Sequence, residues 1–231
     1  MDTNSLFSMP FIALSSTGST FVIMTLTSLV LLWMIPRSHR HHLHKIGTYH
    51  HELCHGMASL ATGGEFHQFH VHPSGNGLCI TSGGNRHIII AAGYVGTVLA
   101  GAILLAQSID YRPAVVLLQI MTLLLAFSTL KAGDIHTAAI GVIVSAGLGF
   151  CSVLFPNALM TRFLMNFLGV LLIWQGIRAL KVLLILSITK ENTGSDAEAL
   201  GRLTNKHPLY WALVFCGIAI GILLVVYRCI F

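Results

Sequence analysis

The chain has 231 residues, of which 55% are hydrophobic and only 9% are charged, and its mean hydropathy is +0.78. Because about a quarter of the residues in a soluble domain are charged, this composition excludes an ordinary soluble protein and indicates a polytopic membrane protein. The net charge of +5 is expected in loops near lipid headgroups. No stripe of Lys and Arg with interleaved aromatic residues predicts a nucleic-acid partner.

Six apolar segments have about the length that a bilayer crossing requires. They are residues 17–35, 87–107, 113–130, 135–154, 159–188 and 208–230. The segment 159–188 is longer than the hydrocarbon core is thick, so we expect it to tilt or to extend beyond the bilayer. Within 87–107, small residues recur every fourth position along two ridges, which predicts tight packing against other helices. The ridges are Ala92-Gly96-Ala100 and Gly93-Thr97-Gly101.

A basic, histidine-rich loop, residues 37–45, follows the first span. We expect a solvated segment at the membrane surface, and a metal-recruiting tract is the alternative. The positive-inside rule assigns this loop to the cytosol.

The next segment, residues 46–62, contains the pattern His51-Glu52-Leu-Cys-His55. Side chains four residues apart point to the same side of a helix, so His51 and His55 are predicted to converge on one Zn²⁺ ion. Glu52 is turned aside and is the candidate general base, close enough to take a proton from a zinc-activated water. The segment is too polar to face lipid, so we expect it to line the bundle interior or a wet cavity.

Residues 65–82 predict a β-hairpin, because two β-prone runs flank a Pro-Ser-Gly-Asn-Gly turn. Alternation along the first run predicts two faces, one with His70 and His72 and the other with His67, Phe69 and Val71. An open edge of such a hairpin is able to receive an extended peptide as an added strand. Its histidines are candidates for further ligands, although solvated or hydrogen-bonded histidines are the commoner case.

A catalytic zinc ion usually has three protein ligands, so a third is sought among the four aspartates, Asp2, Asp110, Asp134 and Asp196. Asp2 is terminal, while Asp110 and Asp134 have basic neighbours and are explained by interfacial ion pairs. Asp196 lies in a polar patch between two long apolar segments and is the preferred third ligand. Asp134 or a hairpin histidine is the alternative third ligand. The alternative role of Asp196 is that of a carboxylate that stabilises the start of a helix capped by Ser195.

Several blocks together resemble the site-2-protease-type intramembrane zinc metalloproteases, and most closely their small site-2-protease-like branch. The blocks are His-Glu-Leu-Cys-His followed by Thr62-Gly-Gly, then His72-Pro-Ser-Gly-Asn-Gly, Ala91-Ala-Gly-Tyr-Val-Gly and Ser195-Asp-Ala-Glu-Ala-Leu-Gly-Arg-Leu-Thr. They cover most of residues 46–230. The resemblance implies His51 and His55 as zinc ligands, Glu52 as general base and a later aspartate, carried onto Asp196, as the third ligand.

Two departures from the family pattern concern the metal site. Cys54 stands where Gly is frequent, which adds bulk and a soft ligand near the metal. The Leu-Asp-Gly motif that supplies the aspartate in better-known members is absent.

The sequence therefore predicts an all-α polytopic membrane protein with six to seven transmembrane or re-entrant helices and a small membrane-associated β-hairpin. We expect one membrane domain over residues 1–231, divided into an N-terminal span and basic loop (1–45), the zinc-motif helix with hairpin and packing helix (46–107), and the remaining bundle with Asp196 (108–231). If the zinc-motif helix crosses the bilayer, the hairpin lies opposite the basic loop. If that helix re-enters, both lie on one side.

The predicted function is an intramembrane zinc metalloprotease that hydrolyses peptide bonds in or near the transmembrane segments of a membrane-protein substrate. A catalytically inactive zinc-binding membrane protein with a structural or regulatory role is the first alternative. A metal transporter that uses the histidines of 39–44 and 67–72 is the second, and the few metal-binding side chains of the later spans count against it.

Overall fold

The computed structural model describes residues 16–154, 157–189 and 194–230. Its elements in chain order are α1 (Ser16–Met34), α2 (Arg40–Ala61), β1 (Glu65–Val71), β2 (Gly77–Ser82), α3 (Arg86–Gln107), α4 (Tyr111–Ser128), a 3-10 turn (Thr129–Lys131), α5 (Ile135–Leu154), α6 (Ala158–Thr189), α7 (Asp196–Thr204) and α8 (Pro208–Ile230). The strands β1 and β2 form one antiparallel pair. The predicted helical fold with a small hairpin is confirmed.

Five of the described helices, α3, α4, α5, α6 and α8, are long and apolar enough to cross a membrane. Helix α1 is apolar but shorter. Helix α6 has 32 residues and is about 48 Å long at 1.5 Å per residue, so it exceeds a hydrocarbon core of about 30 Å. Large apolar side chains such as Ile143 and Val225 are exposed on the outer surface, as a lipid environment requires. The protein is an integral, multi-pass membrane protein.

Helix α2 is not among these five helices, and the hairpin lies along it. Helix α2 begins at Arg40, so the predicted loop over residues 37–45 is wrong from Arg40 onward, where the chain is already helical. Near its start, the Thr48 hydroxyl donates to the carbonyl of Gly75 in the hairpin turn at 2.8 Å. Near its end, the Ser59 hydroxyl donates to the carbonyl of Glu65 in β1 at 3.0 Å. Lys45 also lies 3.4 Å from the His136 imidazole at the start of α5. The first half of α2, the hairpin turn and the start of α5 therefore lie together, whereas the start of β1 lies near the end of α2.

Strand β1 is anchored on the connection between α4 and α5. The Gly133 amide donates to the Phe69 carbonyl at 2.8 Å, and the Val71 amide donates to the Thr137 hydroxyl at 2.8 Å. Phe69 also forms an isolated parallel bridge with Ala132. This connection covers the outer edge of β1, which leaves β2 as the edge strand of the two-stranded sheet.

A β-bulge shows that one sequence prediction was wrong. The pairing register shifts between Phe66 and Gln68, so alternation breaks at His67. His67 is exposed, whereas Phe69 and Val71 are buried, and the three do not share a face as predicted. One extra residue in a strand moves the following side chains to the other face, which simple alternation does not anticipate.

Helices α3 and α6 cross at backbone contact distance. A Cβ atom added at Gly101 would lie 2.9 Å from the Gly169 carbonyl oxygen and 2.9 Å from the Ile173 amide nitrogen. The ridge that contains Gly93, Thr97 and Gly101 therefore packs tightly, as the sequence predicts. Further along the pair, Gly176 faces Val98, so the two helices run antiparallel.

We expect Gly101→Ala to destabilise the protein, because the new methyl group meets backbone atoms and the helices have to separate. Overpacking of this kind costs about 1–3 kcal/mol. The measurement is the thermal unfolding midpoint in detergent. Gly217→Ala on α8 is the matched control, since nothing lies within 4 Å of its added Cβ, and it should leave the midpoint unchanged or raise it. Equal midpoints for the two variants would contradict the tight crossing.

Candidate metal centre

Helix α2 presents two imidazoles and a carboxylate at one place. The Nε2 atoms of His51 and His55 lie 3.1 Å apart, as expected for side chains one helical turn apart. Together with Glu52, they form a group whose ligand atoms all lie within 4.8 Å of one another.

Asp196 reaches the same place from the other end of the chain. Its Oδ2 atom lies 3.3 Å from His51 Nε2 and 3.4 Å from His55 Nε2. Burial opposes ionisation of the Asp196 carboxyl, but its hydrogen bonds with the two imidazoles hold its pKa well below the usual range. Asp196 is the first residue of α7, and Ser195 caps that helix by accepting a hydrogen bond from the Glu198 amide. The predicted short helix with its Ser195 cap is confirmed.

Short helix α7 is held in place by packing rather than by its own length. Ala197 and Leu200 are fully buried in a cluster with Phe215 of α8 and Val98 of α3. This cluster fixes the first turn of α7 over α2, so the Asp196 carboxylate is directed at the two imidazoles.

Two glycines leave room for the cluster. A Cβ atom added at Gly93 of α3 would collide with both imidazoles, those of His51 and His55. A Cβ atom added at Gly77, the first residue of β2, would collide with the Glu52 carboxylate. Backbone from α3 and β2 therefore approaches the reactive side chains closely on two sides.

Groups on α3 orient the two imidazoles. The Nδ1 atom of His55 lies 2.6 Å from the Ile89 carbonyl oxygen, so Nδ1–H donates there and the Nε2 lone pair stays available. The ring of Tyr94 packs edge-on against His51, with centroids 4.6 Å apart. Sequence reasoning did not single out Ile89 or Tyr94. Tyr94 lies inside one of the family-like blocks, whereas a backbone carbonyl such as that of Ile89 leaves no mark in a sequence.

The three converging donor atoms fit a divalent metal ion. Two imidazole nitrogens and one carboxylate oxygen are the donor set of many catalytic zinc sites, which keep a further position open. Here the open side faces a cavity of about 1300 Å³ that His51, Glu52, His55 and Asp196 line together. Ligands and substrate therefore have access to the cluster.

The alternative third ligands have other partners. Asp134 accepts hydrogen bonds from Thr137 and lies 2.9 Å from His70 Nδ1. Slight burial would raise the pKa of Asp134, but these hydrogen bonds from Thr137 and His70 lower it. His67 contacts the Ser82 hydroxyl at 2.8 Å, and His72 contacts Ser74 at 2.8 Å. The structure thus brings none of these side chains into the cluster.

The remaining sequence candidates also lie apart from it. Asp110 caps α4 by accepting from the Arg112 amide. The Cys54 thiol packs against Gly96 and lies 3.4 Å from His50 Nδ1. Asp2 falls outside the described residues.

No curated protein and no solved structure shows a significant match to the chain. A family model described as Peptidase M50B-like matches residues 21–226. This match covers most of the chain and includes every residue of the cluster, and it confirms the resemblance that the sequence blocks indicate. The chain belongs to the Peptidase M50B-like family, which is the site-2-protease family of membrane metallopeptidases.

Proposed function

We propose that the protein is an intramembrane zinc metalloprotease that hydrolyses peptide bonds in or near transmembrane segments. The observation that carries the proposal is the approach of the Asp196 carboxylate to two imidazoles from a distant helix, at 3.3 and 3.4 Å. His51, His55 and Asp196 would hold the zinc ion. When bound there, zinc polarises a peptide carbonyl and lowers the pKa of a water molecule towards about 7.

Glu52 has the position of a general base. Its side chain is 6% exposed and lines the cavity beside the two imidazoles. It follows His51 directly in α2, so its carboxylate is turned away from the imidazole axis and is free to take the proton of the attacking water. The same carboxyl group then delivers that proton to the leaving amine. The close backbone of Gly77 restricts the orientation of Glu52 throughout.

Strand β2 would hold the substrate in an extended form. A helix hides its carbonyl groups in internal hydrogen bonds, so a substrate segment has to unwind before it is cleaved. Residues Gly77–Thr81 of β2 line the cavity next to Glu52, and the free edge of β2 offers backbone groups to an added strand. An extended segment on this edge would pass directly over the metal centre.

Two rival functions receive less support. A metal transporter requires successive ligands along a path through the bundle, but the cluster sits in the wall of a single cavity. An inactive zinc-binding protein needs neither a carboxylate beside the ligands nor an open cavity, whereas Glu52 lines an open cavity here. Only a proteolysis assay separates an active enzyme from an inactive relative.

Zinc content should depend on the three proposed ligands. We expect about one zinc ion per wild-type chain and less than about a tenth of that in His55→Ala and Asp196→Asn. Loss of even an outer-shell partner changes metal affinity about 10–100-fold. The measurement is elemental analysis of purified protein, with Asp134→Asn as the matched control that keeps its zinc. Full zinc content in Asp196→Asn would remove that residue from the ligand set.

Glu52→Gln should retain zinc and lose proteolysis. The amide keeps the size of the side chain but accepts no proton, so the cleavage rate of a membrane substrate should fall about 10²–10⁴-fold. Zinc content and cleavage are measured on the same reconstituted sample. Glu65→Gln, an exposed glutamate at the start of β1, is the control and should cleave normally. Normal cleavage by Glu52→Gln would exclude Glu52 as the base.

Backbone methylation of the substrate should weaken its capture by β2. An N-methyl group removes one donor and obstructs strand pairing, so methylation at alternate positions around the cleaved bond should reduce cleavage while the intervening positions tolerate it. The measurement is the cleavage rate for a series of peptides methylated at single positions. A uniform response without this two-residue period would argue against strand addition.

A further inference from the structure

Helix α6 places an arginine in the wall of the metal-centre cavity. Arg178 lines this cavity together with Arg86 at the start of α3. Among the residues that the structure describes, no carboxylate forms an ion pair with either guanidinium group. The acidic side chains that line the cavity are Glu52 and Asp196, and both belong to the metal centre. Within the described ranges, the two guanidinium groups therefore have no counter-ion apart from the carboxylates of the metal centre.

A buried amide with an unused acceptor lies one turn before Arg178. Gln175 is 4% exposed and lines the same cavity. The His44 imidazole interacts with this amide, but the contact lacks the geometry of a well-aligned hydrogen bond, and no other donor in the described ranges reaches Oε1. Gly47 packs on the aliphatic part of the side chain, since a Cβ added there would lie 2.7 Å from the Gln175 Cβ. An unsatisfied buried acceptor is costly, which indicates that a donor arrives with a ligand.

The cavity-lining residues of α6 recur every three or four positions and form one stripe. They are Gln175, Gly176, Arg178, Ala179, Val182 and Leu186. The stripe changes from polar to apolar along α6, because Gln175 and Arg178 are followed by aliphatic side chains. Strand β2 lines the same cavity, so a peptide on its edge would have this stripe as a neighbour.

Cavity lining distinguishes Arg178 from the other cation nearby on α6. An ionised side chain in a membrane span is expensive unless it faces water, a partner or the bundle interior. The side chains of Arg178 and Lys181 are both exposed, but Lys181 is not among the cavity-lining residues, as expected for a side chain that extends to the lipid headgroups. Arg178 instead faces the space that a substrate has to enter, and its planar guanidinium group is suited to binding a carboxylate through two parallel hydrogen bonds.

We infer that Arg178, with the Gln175 amide beside it, binds a carboxylate of the substrate. The protease then selects an extended segment with Asp or Glu beside the cleaved bond and with apolar residues on the side that faces Val182 and Leu186. The Gln175 Oε1 atom accepts a backbone N–H of the same segment. This inference rests on the proposed protease function and adds the class of substrate that the cavity accepts.

Binding to the non-cleaving Glu52→Gln protein tests the inference separately from catalysis. The zinc-loaded variant is reconstituted in vesicles of neutral lipid, and fluorescent peptides with a single Asp, Asn or Lys near the intended cleavage site are titrated. We expect the Asp peptide to bind about tenfold more tightly than the Asn peptide, as charge-assisted pairs allow, and the Lys peptide to bind most weakly. Equal affinity for all three would overturn the inference, whether or not the wild type cleaves any of them.

A charge exchange identifies the side chain responsible. Arg178→Glu should reverse the preference, so that the Lys peptide binds better than the Asp peptide, and Arg178→Gln should abolish the discrimination. Lys181→Glu, one turn further along α6, is the matched control and should keep the wild-type preference. Because these are ratios between peptides on one protein sample, partial loss of folded protein does not change the expected order. An unaltered preference in Arg178→Glu would overturn the assignment.

A lipid phosphate is the competing ligand for Arg178. In that case the Asp and Asn peptides bind equally, and raising the fraction of anionic lipid changes activity in the wild type but not in Arg178→Gln. That result would also overturn the inference. If the wild type cleaves no peptide while the Glu52→Gln protein still prefers the Asp peptide, the protease function fails and carboxylate recognition stands.

Discussion

The contact between the Asp196 carboxylate and two imidazoles of α2 is the constraint on which the rest of the structure depends. Buried polar groups in a membrane protein are costly unless they satisfy one another or bind an ion. The contact joins a helix near the start of the chain to a short helix near its end. Helix α3 lies between them, and the burial of Leu200 against α8 holds α7 in place. The helical bundle thus serves to bring two distant polar segments together.

Glycines make this arrangement possible at three close contacts. Gly101 lets α3 and α6 touch through their backbones, Gly93 lets α3 approach the imidazoles, and Gly77 lets β2 approach Glu52. In a membrane, helices gain little from the hydrophobic effect when they associate, so close backbone packing supplies much of the stabilisation. The same packing that stabilises the bundle therefore sets the dimensions of the site.

The sequence predicted those features that depend on local pattern. The spacing of His51 and His55 follows from one helical turn, and the span limits follow from hydropathy, so both agree with the structure. The preference for Asp196 rested on its polar patch between two apolar segments, on the simpler explanations for the other aspartates and on the family resemblance, and no local pattern specified its approach to α2. The prediction that His67 shares a face with Phe69 and Val71 was wrong, because the residues of this strand give no clear indication of a bulge. The sequence does not distinguish Gln175 and Arg178 from other polar residues of a long span, because the cavity that they line is formed by elements distant in the chain.

The path of α2 separates its basic start from the start of α3. Leu43, near the start of α2, shares a hydrophobic cluster with Leu105 near the end of α3, whereas Thr62, after the end of α2, accepts a hydrogen bond from the Asn85 amide before α3. Helix α2 therefore runs antiparallel to α3, with the hairpin beside it at Thr48 and Ser59. The predicted basic loop, residues 37–45, is helical from Arg40 onward and lies at the end of α2 opposite Arg86. Arg86 and Arg178 line the cavity of the metal centre, so the positive charge in that cavity comes from two different helices, α3 and α6, which both form part of its wall.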